Sequence, residues 1–287
     1  MPASISYEFF PPRSIEASFR LWETVTALQH TQPEFVSVTY GAGGTTRQLT
    51  HEAVGAIVKH TGLNVAAHLT CVDASRSETL EIADRYAEAG VSHIVALRGD
   101  PPKGSGGFAP RADGFASSVE LIEALAAMGK FDLTVGAYPE KHPEASDARA
   151  NVDWLKRKID AGATRAITQF FFDADCFFRF RDDCAAAGIG AAILPGILPV
   201  QSWPGVKRFA AQCGATIPNH LAHAFETAER DGRTQLLATA VATQLCTKLL
   251  EGGVEHLHFY TLNDPTLTRD VVHALGLAPE PALEHVA

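Results

Sequence analysis

The 287-residue chain is most informative at first through what it lacks. No stretch of about 18 uncharged apolar residues occurs, which excludes a membrane-crossing helix. The N-terminus, Met1-Pro2-Ala3-Ser4-Ile5, has no basic-then-apolar layout of a secretory signal, so a cytoplasmic location is expected. Positive charge is scarce: 24 Lys and Arg stand against 33 Asp and Glu, a net charge of −9. Such a surface repels phosphate backbones and argues against nucleic acid as a partner. No C-x-x-C occurs, and the five cysteines (Cys71, Cys176, Cys184, Cys213, Cys246) are odd in number and scattered, as reduced buried thiols would be. Absent too are H-E-x-x-H, G-x-S-x-G and a P-loop, which removes the usual support for a zinc hydrolase, an esterase or a phosphoryl-transfer enzyme. His256 and His258 share a strand face and His220-x-x-His223 is near helical spacing, but no carboxylate-rich cluster supports them as a metal site.

What is present is a repeat of short apolar runs and longer amphipathic segments. The runs are Ser4–Phe10, Glu34–Tyr40, Asn64–Thr70, His93–Leu97, Leu133–Tyr138, Arg165–Phe170, Ala191–Pro195 and His256–Thr261. Between them lie segments of helical period, among them Ile15–His30, Ser75–Ala89, Ser117–Met128, Ala148–Ala161 and Asp173–Ala187. Glycines at 62, 90, 129, 162 and 188 follow the last turns, the usual C-terminal stop. Strand, helix, glycine, strand is the pattern of parallel βα units. Eight units predict an α/β fold of the (β/α)8 TIM-barrel type, a single domain over residues 1–287. An open doubly wound sheet would carry G-x-G-x-x-G after a strand; Gly41-Ala42-Gly43-Gly44 and Gly104-Ser105-Gly106-Gly107 both have the wrong spacing. The segment Ile217–Gly252 is long for one crossover and is expected to hold two helices.

In such a barrel, chemistry sits where strands end. Here the ends are unusually polar: Glu8 to Arg13, Thr39 to Gly44, His68 to Thr70, Arg98 to Pro102, Tyr138 to His142, Gln169 to Asp173 and Tyr260 to Asn263. Alternation puts Ser4, Ser6 and Glu8 on one face of the first run and Ile5, Tyr7 and Phe9 on the other. The bulky face should meet the helices, leaving Glu8 in the barrel mouth. Loss of hydration there is expected to raise its pKa, as suits a general acid at neutral pH. The alternative is a structural carboxylate paired with Arg98 or another base. Asp100 is either part of a salt-bridged turn with Arg98 or an anion that holds a cationic intermediate. Gln169 offers a donor and an acceptor to a heterocycle edge. Phe170, Phe171 and Phe172 could stack on a flat ring, although core packing is their commoner fate.

Taken in order, these strand ends resemble methylenetetrahydrofolate reductase. The matching stretches are Ser6-Tyr7-Glu8-Phe9-Phe10-Pro11-Pro12-Arg13, Phe35 to Gly41, His68-Leu69-Thr70-Cys71 and His93 to Asp100. They continue with Ala137-Tyr138-Pro139-Glu140, Thr168 to Asp173, Pro195 to Pro199 and His258 to Asn263. The similarity covers nearly the whole chain and matches the short bacterial form. It implies a barrel that interconverts 5,10-methylenetetrahydrofolate and 5-methyltetrahydrofolate, in one-carbon metabolism feeding methionine biosynthesis. NAD(P)H, with NADH favoured, would be the reductant and FAD the bound carrier. The ring-opened 5-iminium intermediate requires protonation at N10. By the same resemblance Glu8 is the catalytic acid, Asp100 stabilises the cation and tunes the flavin, Gln169 binds the pterin, and Phe209 contacts substrate and nicotinamide in turn. Thr39, His68, Arg98, Gly99, Asp100, Ala116, Tyr138, His142 and Lys158 match positions lining the family's FAD site.

The match has departures. Asn151 stands where the bacterial family has Asp, and Trp154 where it has Asn; the Gln48-Leu49 pair, the Gly106–Asp113 loop and Asp264 differ as well. A flavin-independent variant, with direct hydride transfer from NAD(P)H to folate, is therefore a second expectation, since a two-electron transfer to an iminium needs no flavin. Another folate-dependent one-carbon barrel, or a non-catalytic pterin-binding barrel, are further readings. The sequence leaves the oligomeric state open.

Overall fold

The computed structural model describes residues 3–41, 46–100 and 108–279. The two glycine loops weighed above, beyond Gly41 and after Asp100, lie outside the described residues. Seven strands coincide with the expected runs: β1 (Ser4–Phe9), β2 (Phe35–Val38), β3 (Val65–Thr70), β4 (His93–Leu97), β5 (Asp132–Ala137), β6 (Arg165–Thr168) and the last strand, β9 (His256–Tyr260). All neighbours are parallel, in the order β7-β6-β5-β4-β3-β2-β1-β9-β8. The seventh run, expected over Ala191–Pro195, differs: it gives β7 (Ala192–Leu194), paired with β6, and the chain continues past its end into an unexpected short strand, β8 (Gly196–Ile197), paired with β9. Pro195 between them has no N–H to give a ladder, but its carbonyl accepts the His258 N–H at 3.0 Å. One interrupted run therefore meets both free edges and closes the barrel.

Helices wrap the outside. Helix α1 (Ile15–Gln29) starts at Ser14, whose hydroxyl accepts the Ala17 N–H; α3 (Arg76–Glu88) starts with a complete capping box between Ser75 and Glu78. In chain order, α2 (Arg47–Thr61), α4 (Ser118–Met128), α5 (Ala148–Asp160) and α6 (Ala174–Ala186) fill the other early crossovers. After β8 come α7 (Trp203–Cys213), α8 (Asn219–Arg230) and α9 (Thr234–Glu251), and α10 (Thr266–Ala274) follows β9. Among the described residues no helix is long and apolar enough to cross a membrane. All five cysteines are free thiols, and four are buried.

The strand alternation divides the core in two. Ile5, Tyr7 and Phe9 face the helices and join the main apolar cluster with Val36, Val38, Leu69, Ile94 and Phe259. Phe35, Ala66, Val95, Ile167 and Leu194 form a separate cluster. These last alternate with the outward set and plug the barrel interior. Above this plug the inward positions turn polar.

Closure is tightest at Gly196. A Cβ there would stand 2.1 Å from the Thr168 carbonyl oxygen and 2.6 Å from the Tyr260 ring. Tyr260 in turn donates its hydroxyl to that same carbonyl at 2.7 Å. A Gly196→Ala substitution must push backbone or the half-buried Tyr260 ring, so it should destabilise the fold by about 1–3 kcal/mol. Urea unfolding of the variant checks this; an unchanged midpoint would contradict the packing described.

Candidate functional site

One large cavity, about 960 Å³ in volume, opens at the C-terminal ends of the strands. That is the upper end of the range for small-ligand pockets. Glu8, Asp100, Gln169 and Phe209 all line it, as do Thr39, His68, Arg98, Gly99, Tyr138, His142 and Lys158. Asn151 and Trp154 line it too. Ala116 does not: it is exposed, and its N–H is held by the Glu120 carboxylate at 3.2 Å.

Glu8 reaches the mouth because β1 alternates. Its backbone carbonyl accepts the Thr261 hydroxyl at 2.7 Å. Asn263, in a left-handed conformation (φ 56°) that Asn tolerates, bonds both the N–H and the carbonyl of Phe10. The end of β9 thus clamps the end of β1. The Glu8 carboxylate lies 3.3 Å from His68 Nε2 and 3.9 Å from His258 Nε2, with 15% of its side chain exposed.

This corrects the expected protonation of Glu8. Burial does push the carboxyl upward, but the His258 and His68 imidazoles outweigh it together and bring the pKa down to about 2. Without a ligand in the cavity, Glu8 is a carboxylate at neutral pH. Its partners among the described residues are these two histidines and not Arg98, which is engaged by both oxygens of Glu144, at 2.6 and 3.0 Å. Among the described residues Asp100 makes no ion pair with Arg98, so the salt-bridged-turn alternative fails; Asp100 is exposed at the cavity wall.

Sequence reasoning weighed His256 and His258 only as metal ligands. They bind serines instead. The Ser6 hydroxyl lies 2.7 Å from His258 Nδ1 and 2.7 Å from His256 Nε2; Ser4 Oγ is 2.6 Å from His256 Nδ1. Among the described residues no metal-binding cluster of His, Cys, Asp or Glu occurs. The signal was available in principle: two i, i+2 inward sets, on strands that barrel closure makes neighbours.

The rest of the wall follows from local chemistry. Gly99 (φ 84°) is required, since a Cβ would meet Val72 at 2.6 Å and Thr70 at 2.9 Å. Gln169 Oε1 accepts the Phe170 N–H at 3.0 Å. Of the phenylalanines, Phe170 lines the cavity, Phe171 stacks in the core on Phe177 (5.7 Å), and Phe172 packs in a second apolar cluster. Lys158 is half-buried and donates to the Gly136 carbonyl at 2.6 Å; loss of hydration, then Arg98, brings its pKa down to about 8. Asn151 is spent on its own loop: its amide donates to the Tyr138 and Glu140 carbonyls and accepts the His142 N–H. Trp154 sits at the rim, with the Arg157 guanidinium 4.5 Å from its ring centroid.

The chain resembles known proteins along nearly its whole length. The family model described as methylenetetrahydrofolate reductase matches residues 2–276. The 5,10-methylenetetrahydrofolate reductase of Pectobacterium carotovorum is 44% identical over 280 residues, covering 97% of this chain and 92% of that protein. That of Escherichia coli is 45% identical, with 96% and 92% covered. Among solved structures, a Clostridium thermocellum protein that binds two copies of 5-methyl-5,6,7,8-tetrahydrofolic acid shares the fold, with a TM-score of 0.61 at 13% identity, covering 96% and 94%.

The interior histidines make stability acid-sensitive. Burial depresses His93 to about 3 and His256 to about 4, and lowers His258, against an ordinary value near 6.5. Between those values the unfolded chain takes up protons that the native state refuses, so stability falls as pH drops from about 6.5 toward 3. Glu8 adds to the loss below about 4.5, where its carboxyl protonates in the unfolded chain first. Urea midpoints should decline steadily from pH 7 to pH 4. A His93→Gln variant should show a shallower decline; an equal slope would count against His93.

Proposed function

The chain belongs to the methylenetetrahydrofolate reductase family and is an oxidoreductase interconverting 5,10-methylenetetrahydrofolate and 5-methyltetrahydrofolate; from this premise we propose how its residues divide the work. The observation that carries the proposal is that Glu8, Asp100 and Gln169 all line one cavity. Gln169 keeps its NH2 group to donate to the pterin edge, while its oxygen is held by the Phe170 N–H. Asp100, an exposed carboxylate at the wall, faces the 5-iminium cation and stabilises it by charge. Phe209, half exposed at the rim, covers the ring that occupies the mouth.

Glu8 delivers the proton to N10. Folate in the mouth removes the water that still reaches the carboxylate. That strengthens desolvation, the influence already pushing its pKa up, and the balance against the two imidazoles shifts toward the acid. His68 and His258 hold the carboxylate in place and keep it ionised until then.

The residues present fit FAD. Lys158 is a half-buried cation facing the cavity, with no carboxylate partner among the described residues, and an anionic cofactor would favour its charged form. Thr39, His68, Gly99, Tyr138, His142 and Lys158 would hold it, and it would supply a two-electron carrier between nicotinamide and folate. NADH is the favoured reductant. A 2′-phosphate calls for a free arginine, and Arg98, the one arginine among the described lining residues, is bidentate with Glu144. One observation favours the flavin-independent reading: Asn151 has no free amide hydrogen, and the indole of Trp154 fills the rim beside it.

Two measurements test this. A Glu8→Gln enzyme should keep its folate affinity and lose turnover by about 10²–10⁴-fold; full activity would remove Glu8 from the mechanism. The visible spectrum of the purified protein should show stoichiometric flavin. Full NADH-dependent folate reduction by flavin-free protein would establish direct transfer instead.

A further inference from the structure

The reaction consumes a proton at N10, yet Glu8 enters the cycle ionised and the substrate covers its access to cavity water. A second route leads away from the cavity. From Glu8 the inward side chains run His258, Ser6, His256 and Glu34, each beside the next, down the barrel toward the N-terminal ends of the strands. Ser6 Oγ is 2.7 Å from one nitrogen of each histidine, and His256 Nδ1 is 3.1 Å from Glu34 Oε2. The burial is graded. Ser6 and His258 are sealed, His256 keeps 12% of its side chain exposed, and Glu34 is 46% exposed. The gap between His258 Nε2 and Glu8, 3.9 Å, is the only long step; such contacts are often long before the substrate binds.

We propose that this chain of groups carries protons through the barrel, from solvent at Glu34 to Glu8. A proton taken up at Glu34 passes to His256 Nδ1, and His256 releases its Nε2 proton to Ser6 Oγ. Ser6 passes its own proton to His258 Nδ1, and His258 Nε2 supplies Glu8 as Glu8 protonates N10. One proton enters and one leaves; each imidazole returns to its neutral state after changing tautomer. Both histidines are held neutral by burial, as exchange requires. The charged groups around His256 are Glu34, Arg165 (3.2 Å from Glu34) and His258, with Ser4 and the Phe35 ring completing its surroundings. Phe35 stacks on both His256 and His258 and keeps water from short-circuiting the path.

The inference rests on Glu8 being the acid, and the test separates the two. His256→Gln keeps a polar group near Ser6 but cannot exchange tautomers. It should lower kcat for methylenetetrahydrofolate reduction about tenfold with KM unchanged, less than loss of the acid itself. Its solvent deuterium isotope effect should rise, and added imidazole should restore rate to a His256→Gly enzyme. Glu34→Gln, at an exposed position where folding is safe, should shift the pH profile of kcat and raise the isotope effect. A merely structural role would move the unfolding midpoint and leave the isotope effect alone. If Glu8→Gln is inactive while both variants keep wild-type kcat, pH profile and isotope effect, the path is wrong and the acid stands. An active Glu8→Gln enzyme would overturn both.

Discussion

A carboxylate inside a barrel must be either protonated or compensated, and the interior around Glu8 is arranged about that constraint. Burial favours the neutral acid, while His68 and His258 favour the anion. Neither histidine is near Glu8 in sequence. His68 comes from β3, and His258 from β9, which lies beside β1 only because the barrel closes, with Ser6 opposite His258 and Glu8 opposite Tyr260. A slip of one residue would turn Glu8 into the helical layer and strand both imidazoles. The Asn263 and Thr261 bonds to the end of β1 hold that register at the level of the site.

The cavity sorts its other charges by how completely they are paired. Arg98 is bidentate with Glu144 and is committed to wall structure. Lys158 has one carbonyl partner and remains electrostatically unfinished. Asp100 is exposed at the wall and makes no ion pair among the described residues. This places positive and negative charge on a shared cavity wall.

Much of this was legible before any coordinates. Parallel strands have period two and helical crossovers 3.6, so the βα repeat and the inward placement of Glu8 follow from patterning alone. Closure did not follow in detail: the split at Pro195 depends on which edge each half meets, and no local signal encodes that. The protonation of Glu8 is hidden from the sequence for a similar reason. Desolvation can be inferred from one strand, but compensation by His68 and His258 is a relation among three strands. Asn151 was read as a missing cofactor contact, whereas its amide organises the loop between β5 and α5, a role that only the carbonyl positions reveal.

The pairing of the first strand with the last has a consequence for biosynthesis. On the ribosome, Glu8 emerges long before His258. A nascent chain that has not yet released β9 has an open seam and only one of the two imidazoles that compensate the acid. No shorter intermediate can assemble this compensated carboxylate, so the site should arrive abruptly, in step with completion of the barrel rather than gradually with length.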